Sequence, residues 1–409
     1  MNESLLISFR RVLPLAVLGL SLVGCSSYDD TEAPPVVEEN DDVQIEAVDL
    51  SSDLTRTTYG TTLESFSIFA YKAAGKQAED VLYNKVSGAW KNVSGVFRWP
   101  SSNTLMNMYA ISPSSANATN IHFSMAGPNT FDREVENVDP TMTKIASRLN
   151  TSKKTSGGVI KLSFVNALGT LKTTAVNRID KVTVIISEIK FHNIASYGRF
   201  TFDSKTISKG TWELLKSNAE LYVDGTDNFK DVPVATYGQP VDEPVTLMTT
   251  KYLSIIKEEM FVMPQTVNAW VPTKDAEGNY MDDENNSIYT ADQNHLAYIE
   301  VKCRIIGKDD LDNDYYMCGW SDEDNAADPD NKPKFESVYF PYNAAKYKFV
   351  FNKATTYKLD FMDPLNALGG PYKGHTGMDE FITSEWIEVQ GDDVDDWTDD
   401  ENGDVEIDM

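Results

Sequence analysis

Three cysteines and four histidines are all that 409 residues offer to thiol or imidazole chemistry. The histidines, His122, His192, His295 and His375, lie far apart in unrelated contexts. There is no HExxH, no GxSxG and no phosphate-cradling glycine loop, and no histidine lies near the cysteines at 303 and 318. Basic residues are also short, with 36 Lys and Arg against 63 Asp and Glu, for a net charge of −27. Affinity for phosphate backbones and anionic headgroups is built from lysine and arginine, so nucleic acid and acidic membrane surfaces are excluded as partners. No stretch approaches about 18 consecutive apolar residues, so the sequence predicts no membrane-spanning helix. No internal repeat of fixed period is present. These absences predict a chain that is not an enzyme and needs no cofactor or metal.

What is present begins at the N-terminus. Behind Arg10 and Arg11, a short apolar run from Leu13 ends in Leu22-Val23-Gly24-Cys25. A basic start, an apolar middle and small residues at the end are the anatomy of an export signal. With a cysteine directly after the small residue, the segment resembles a bacterial lipobox. That likeness implies cleavage before Cys25 and a diacylglyceryl thioether on its sulfur, with palmitate as a further acyl chain. Cys25 is the only strong nucleophile in the first hundred residues. An ordinary cleaved signal with an incidental cysteine is the plainer reading, but signal geometry and cysteine placement agree. More than one acyl chain gives lasting attachment without a spanning helix. Residues 1–24 are then a lipoprotein signal peptide. Residues 25–42, polar, acidic and proline-bearing, are a flexible tether too poor in apolar residues to fold alone.

Beyond the tether, apolar content of 41% and aromatic content of 11% are those of a globular protein. Short runs rich in valine, isoleucine, threonine and aromatics are separated by Gly, Asn, Asp, Ser and Pro. Val43 to Leu50 reads as a first strand, with Val43, Ile45 and Ala47 on one side. Phe66–Tyr71, Leu105–Ile111, Ile121–Met125, Val159–Val165, Val182–Phe191 and Tyr197–Phe202 follow. Met260–Met263, Tyr298–Ile306, Tyr315–Trp320, Tyr347–Phe351 and Thr356–Phe361 complete the series. Such spacing, with few long 3.6-residue periods, predicts an all-β chain of antiparallel β-sandwiches. One helical face is predicted, in Pro140–Leu149, from Met142, Ile145, Ala146 and Leu149. The weak, Gly- and Pro-punctuated pattern of Lys205–Asp242 places a boundary between domains at 43–210 and 211–391. The tail, 392–409, carries ten acidic residues and no basic one.

Cys303 and Cys318 each sit in an alternating strand. A hairpin symmetric about Asp310 and Leu311 would set them opposite one another, facing inward. A cross-strand disulfide and a pair of buried free thiols both fit that arrangement. The acidic loops at Asp310–Asp314 and Asp399–Asp404 have some calcium-loop character. Tyr315 stands where an EF-hand needs glycine, and the second loop has the wrong register of oxygens, so both read as solvated loops.

Several blocks, in order over nearly the whole chain, resemble the fimbrillin family of Gram-negative anaerobes, the subunits of lipoprotein-derived pili. They are Thr55-Arg56-Thr57 with the strand FSIFAY, then Arg98-Trp99-Pro100 and Leu105 to Pro113. Lys161 to Leu168, Met263-Pro264-Gln265-Thr266 and Val394-Asp395-Asp396-Trp397 follow. Asn166 replaces a usual histidine, and an expected QxDLLxA segment is replaced around Asp139 to Ser147. The resemblance implies two tandem transthyretin-like β-sandwich domains and export as an outer-membrane lipoprotein at the cell surface. It also implies arginine-directed cleavage before the second strand, with Arg56 the matching residue, and polymerisation by donor-strand exchange with other pilus subunits in a fimbrium. Phe381 to Val389 alternates and reads as a donated strand or as the last strand of its own domain. Host or bacterial surface molecules would be the adhesion ligands. The alternative from another class is a surface glycan-binding lipoprotein of a polysaccharide-uptake system, for which exposed tryptophans would be needed and buried Trp99, Trp270 and Trp320 would count against it.

Overall fold

The computed structural model describes residues 41–50, 63–116, 123–127, 129–135, 143–179, 182–225, 227–248, 251–255, 260–271, 276, 288–308, 311–319, 334–342, 344–345, 348–361, 387–388 and 394–395. The chain is all-β. Its first strands are β1 (Gln44–Asp49), β2 (Ser65–Lys72), β3 (Gly75–Val86), β4 (Ala89–Asn92), β5 (Met106–Ser112), β6 (Phe123–Gly127) and β7 (Thr130–Glu134). Next come β8 (Lys144–Thr151), the single helical turn α1 (Lys153–Ser156), β9 (Val159–Asn166), β10 (Gly169–Asn177), β11 (Val182–Ala195), β12 (Tyr197–Phe202) and β13 (Gly210–Leu214). After β14 (Val234–Thr246), β15 (Leu253–Ser254) and β16 (Met260–Val262), α2 (Ile288–Gln293) precedes β17 (Tyr298–Lys308). The remaining strands are β18 (Asp314–Cys318), β19 (Glu336–Pro341), β20 (Ala354–Phe361), β21 (Ile387–Glu388) and β22 (Val394–Asp395).

One sheet holds seven strands in the order β1-β9-β8-β5-β2-β3-β4. It has a core on each face. Phe66, Ile68, Tyr83, Met108, Ala146, Leu162 and Phe164 fill one side together with Val43 and Ile45 of β1. On the other side Phe69, Tyr109, Ile111 and Ile145 pack on Phe131, Phe200 and Phe202, which belong to a four-stranded sheet ordered β13-β12-β7-β6. The two further sheets are built around β10 and β20 and around β11 and β17. Leu171, Val184, Ile189, Phe191, Val301, Tyr357 and Leu359 form the core they share. Strands from both sides of residue 210 meet in these sheets, since β10 pairs with β20 and β11 with β14 and β17.

Two sequence expectations are overturned. Pro140–Leu149 is not helical where it is described: Lys144–Thr151 is the strand β8, paired with β5 on one edge and with β9 on the other. Both faces of this central strand are covered, so Lys144, Ile145, Ala146 and Ser147 are all buried. A strand buried on both faces shows no period of two, and its apolar spacing imitated a helix. Nor is Tyr347–Phe351 a strand where it is described, at residues 348–351; Phe349 makes one isolated bridge, to Gln265. The Gln265 side chain does the work expected of a neighbouring strand. Its Oε1 accepts from the Ala195 amide at 3.0 Å, and its Nε2 donates to the Ala195 carbonyl at 2.7 Å and the Met263 carbonyl at 3.0 Å. A buried amide with its hydrogen bonds made in this way gives the Pro-Gln-Thr turn a physical function.

Candidate functional site

Strand β1 occupies a channel made by residues scattered from 63 to 164. One edge of β1 runs parallel to β9, in register from Gln44 opposite Val159 to Asp49 opposite Phe164. The other edge starts antiparallel to residues 97–99. The Val43 amide donates to the Phe97 carbonyl and the Trp99 amide to the Asp41 carbonyl, each at 2.8 Å. Farther along, the Trp90 indole donates to the Ala47 carbonyl at 3.1 Å. The strand thereby joins the two ends of the seven-stranded sheet.

Period-two alternation decides which residues face in. Val43 and Ile45 are buried and Ala47 is half-buried, all against Phe66, Phe97, Trp99 and Phe164. Gln44, Glu46 and Val48 point outward and are exposed. Fully burying a valine or isoleucine is worth about 1.5–3 kcal/mol, so the inward face provides most of the hold. Exposed pairs at the strand's start add little: Asp42 with Arg98 at 3.3 Å and Asp41 with Lys153 at 3.1 Å.

At the other end the same inward phase brings Asp49 to Lys144 of β8. The two are hydrogen-bonded as an ion pair, with 3% of the lysine side chain and 12% of the aspartate side chain exposed. Strand order puts β9 between them, so the lysine stem crosses β9 to reach the carboxylate. Burial pulls the Lys144 ammonium below the usual lysine range, and the hydrogen bond it donates to Asp49 partly offsets this. Neither residue is conspicuous as a site in the sequence. The signal was present in the phase of the strand: Val43, Ile45, Ala47 and Asp49 share one parity, which put an acid on the buried face.

Three of the sequence blocks wall this channel. Arg98-Trp99 flanks the start of β1, the Lys161–Leu168 block contributes β9, and FSIFAY contributes Phe66 and Ile68 to the floor. Leu63 resumes the chain in the same core. Arg56 falls between Leu50 and Leu63, outside the described residues, as do Cys25, residues 1–40, Trp320, His122, His375 and Asp399–Asp404.

Cys303 and Cys318 are both buried free thiols, with their sulfurs 4.0 Å apart. They do not sit directly opposite one another. Cys318 faces Ile305 across a bulge, while Cys303 faces Glu336, because β18 and β19 share one edge of β17. The hydrogen bond to Cys303, and then burial, push the Cys318 thiol well above its ordinary range. His192 stacks on Tyr298 with ring centres 4.6 Å apart and meets Glu300 at 2.7 Å through Nε2. Its other nitrogen lies 3.2 Å from the Thr236 hydroxyl, so the ring is held between strands by hydrogen bonds. Among the described residues, no three or more His, Cys, Asp or Glu converge to hold a metal ion. Nor, among them, is any helix long and apolar enough to cross a membrane. Of the tryptophans, Trp99 and Trp270 are buried, and Trp90 and Trp212 are half-buried with their indole N–H groups on the carbonyls of Ala47 and Ala167.

Solved structures with a similar arrangement include a fimbrial protein from Bacteroides vulgatus, at 11% identity and a TM-score of 0.47, covering 78% of this chain and 94% of that one. A candidate cell adhesion protein from Bacteroides uniformis aligns over 87% of this chain and 98% of its own at 13% identity and a TM-score of 0.36. The fimbrial anchor protein Mfa2 from Porphyromonas gingivalis aligns over 51% of this chain and 74% of its own, at 9% identity and a TM-score of 0.25. No protein-family model and no curated protein sequence matches the chain.

Proposed function

We propose that this chain is a fimbrillin-like subunit or anchor of adhesive surface pili, assembled by strand exchange in the channel of β1. The observation that carries this reading is the status of β1 itself. It is the first strand among the described residues, it pairs in parallel with a strand 110 or more residues later, and only the segment from Leu50 to Leu63 joins it to the next described strand. A parallel pairing carries no hairpin, so one cut in that segment separates the strand from the domain without breaking any other connection. What stays behind is an edge of β9 with open backbone groups and an apolar floor, the receptor of β-augmentation. Arg56 lies in that segment and is the residue we assign to cleavage.

The rest of the proposal follows from the sequence resemblance. Residues 1–24 export the chain, Cys25 carries lipid to the outer membrane, the tether holds it at the cell surface, and tandem β-sandwiches form the body of the subunit. Its partners are other pilus subunits. The glycan-capture alternative draws no support from the described tryptophans, none of which lies exposed as a platform.

The test is the N-terminal residue and lipid content of the protein purified from cells, with an Arg56→Ala variant beside it. Polymerised subunits should begin at Thr57 and lack lipid, and the variant should keep Cys25 lipidated and stay out of polymers. An Arg56→Ala chain that matures and polymerises normally removes the processing step from this reading. A chain that keeps lipidated Cys25 and sits at the pilus base is the anchor.

A further inference from the structure

A channel that merely needed an apolar strand would accept almost any β-forming segment. This one has a charge built into its floor. The inward face of β1 is read in order as Val43, Ile45, Ala47 and Asp49: two branched residues, a small one, then an acid. The acid meets an ammonium that belongs to the receptor side, on β8, and that is almost wholly shielded from water. If β1 leaves, Lys144 loses that carboxylate, and any strand that covers the channel again shields the ammonium from water again. Breaking a buried pair by taking away one partner costs far more than losing an exposed pair. An incoming strand that restores a carboxylate at the same position recovers the interaction, and one that does not must leave the ammonium without it.

The same seven-position pattern occurs once more in this chain. Residues 387–393 read Ile-Glu-Val-Gln-Gly-Asp-Asp against Val-Gln-Ile-Glu-Ala-Val-Asp at 43–49. Ile387, Val389, Gly391 and Asp393 fall at the positions of Val43, Ile45, Ala47 and Asp49, and Glu388 and Gln390 fall at outward polar positions. In this structure Ile387 and Glu388 lie along β20 of their own chain, opposite Phe361 and Asp360. Residues Val405-Glu406-Ile407-Asp408-Met409 repeat the alternation for five positions, but set the bulky Met409 at the place of the small Ala47.

We propose that Lys144 is the specificity-determining residue of the channel, selecting an occupant with a carboxylate at the position of Asp49, and that Asp393 in residues 387–393 of a second copy supplies it. This rests on the strand-exchange reading above and adds a selection rule to it. The acidity of the tail, which would otherwise weigh against burial in a groove, is at this one position matched by the receptor.

The experiment uses the folded full-length chain, nicked by an arginine-specific protease, and fluorescent peptides spanning 385–395. Release of the fragment containing β1 and the anisotropy of the bound peptide are both measured. The native-sequence peptide should bind about tenfold or more tightly than the same peptide with Asp393→Asn. A peptide of residues 401–409 should bind no better than the Asn version. In Lys144→Met the preference for Asp over Asn should disappear while binding persists. Equal binding of the Asp and Asn peptides to the native chain overturns the role of Lys144 and leaves strand exchange standing. A preference that persists in Lys144→Met does the same. If no peptide displaces the fragment, the exchange reading fails and the selection rule with it. The peptide comparison requires no substitution in the protein, so a misfolded variant does not decide the result.

Discussion

Lys144 and Asp49 are 95 positions apart in sequence and form a buried ion pair. Two charges withdrawn from water stabilise a fold only weakly as a pair, yet deleting one of them is expensive because the other is left in the core. Asp49→Ala should therefore cost about 3–5 kcal/mol in urea unfolding, seen as a lower midpoint with an unchanged slope. Adding Lys144→Met to that variant should restore most of the loss. A loss below about 1 kcal/mol for Asp49→Ala would mean that the lysine reaches water in solution.

Glu300 provides a pH test at a distance from the channel. Burial alone would raise its pKa, but hydrogen bonds from His192 at 2.7 Å and from the Ser337 hydroxyl at 2.5 Å, with Lys190 nearby, lower it from 4.5 to about 2. The folded state thus binds this proton less readily than the unfolded chain does. Its contribution is fully present above about pH 4.5 and is lost as the pH falls toward about 2. The amount at stake is about 3 kcal/mol. Unfolding free energies measured between pH 5 and 2.5 should fall less steeply in Glu300→Gln than in the parent; identical slopes would contradict the assignment.

Trp99 closes the floor of the channel beside Phe97 and is 4% exposed. Trp99→Ala should cost about 3–5 kcal/mol through lost burial and a residual cavity. Hydrogen exchange at the Val43 and Ile45 amides should accelerate with it, because their strand loses its apolar support. Unchanged stability would remove Trp99 from the core.

The thiols of Cys303 and Cys318 should be inert in the native protein. Both are buried, and the Cys318 thiol is held above its ordinary range by the hydrogen bond to Cys303 and by burial. Thiolate is the reactive form. Mass mapping after maleimide treatment at pH 7.5 should find neither residue labelled until the protein is unfolded, when both react. Rapid native labelling of either would show that the β17–β18 edge opens.

Local alternation carried the strands well. Tyr197–Phe202 is a strand over the bounds its alternating pattern gives, and Val43–Leu50 loses one residue at each end to become β1. Where alternation was missing, the sequence misled. β8 is covered on both faces, so its buried lysine, serine and alanine gave no period of two. A cysteine hairpin symmetric about Asp310 and Leu311 is one residue out of register already at Lys308–Asp314 and two at Ile305–Cys318, past the bulge at Ile305–Ile306, and neither that bulge nor the competing strand β19 is a local feature.

The sequence alone determined the all-β class and which side of strand β1 faces inward. Each depends on residues within a few positions of one another. Only the tertiary structure decided that Asp49 would meet Lys144, that Arg98 and Trp99 would flank β1, and that β9 would run parallel to it. Those pairings join residues from 56 to 115 positions apart, and their choice depends on the order of strands across the sheet. A period of two fixes a strand's faces, but it does not name the strand's neighbours.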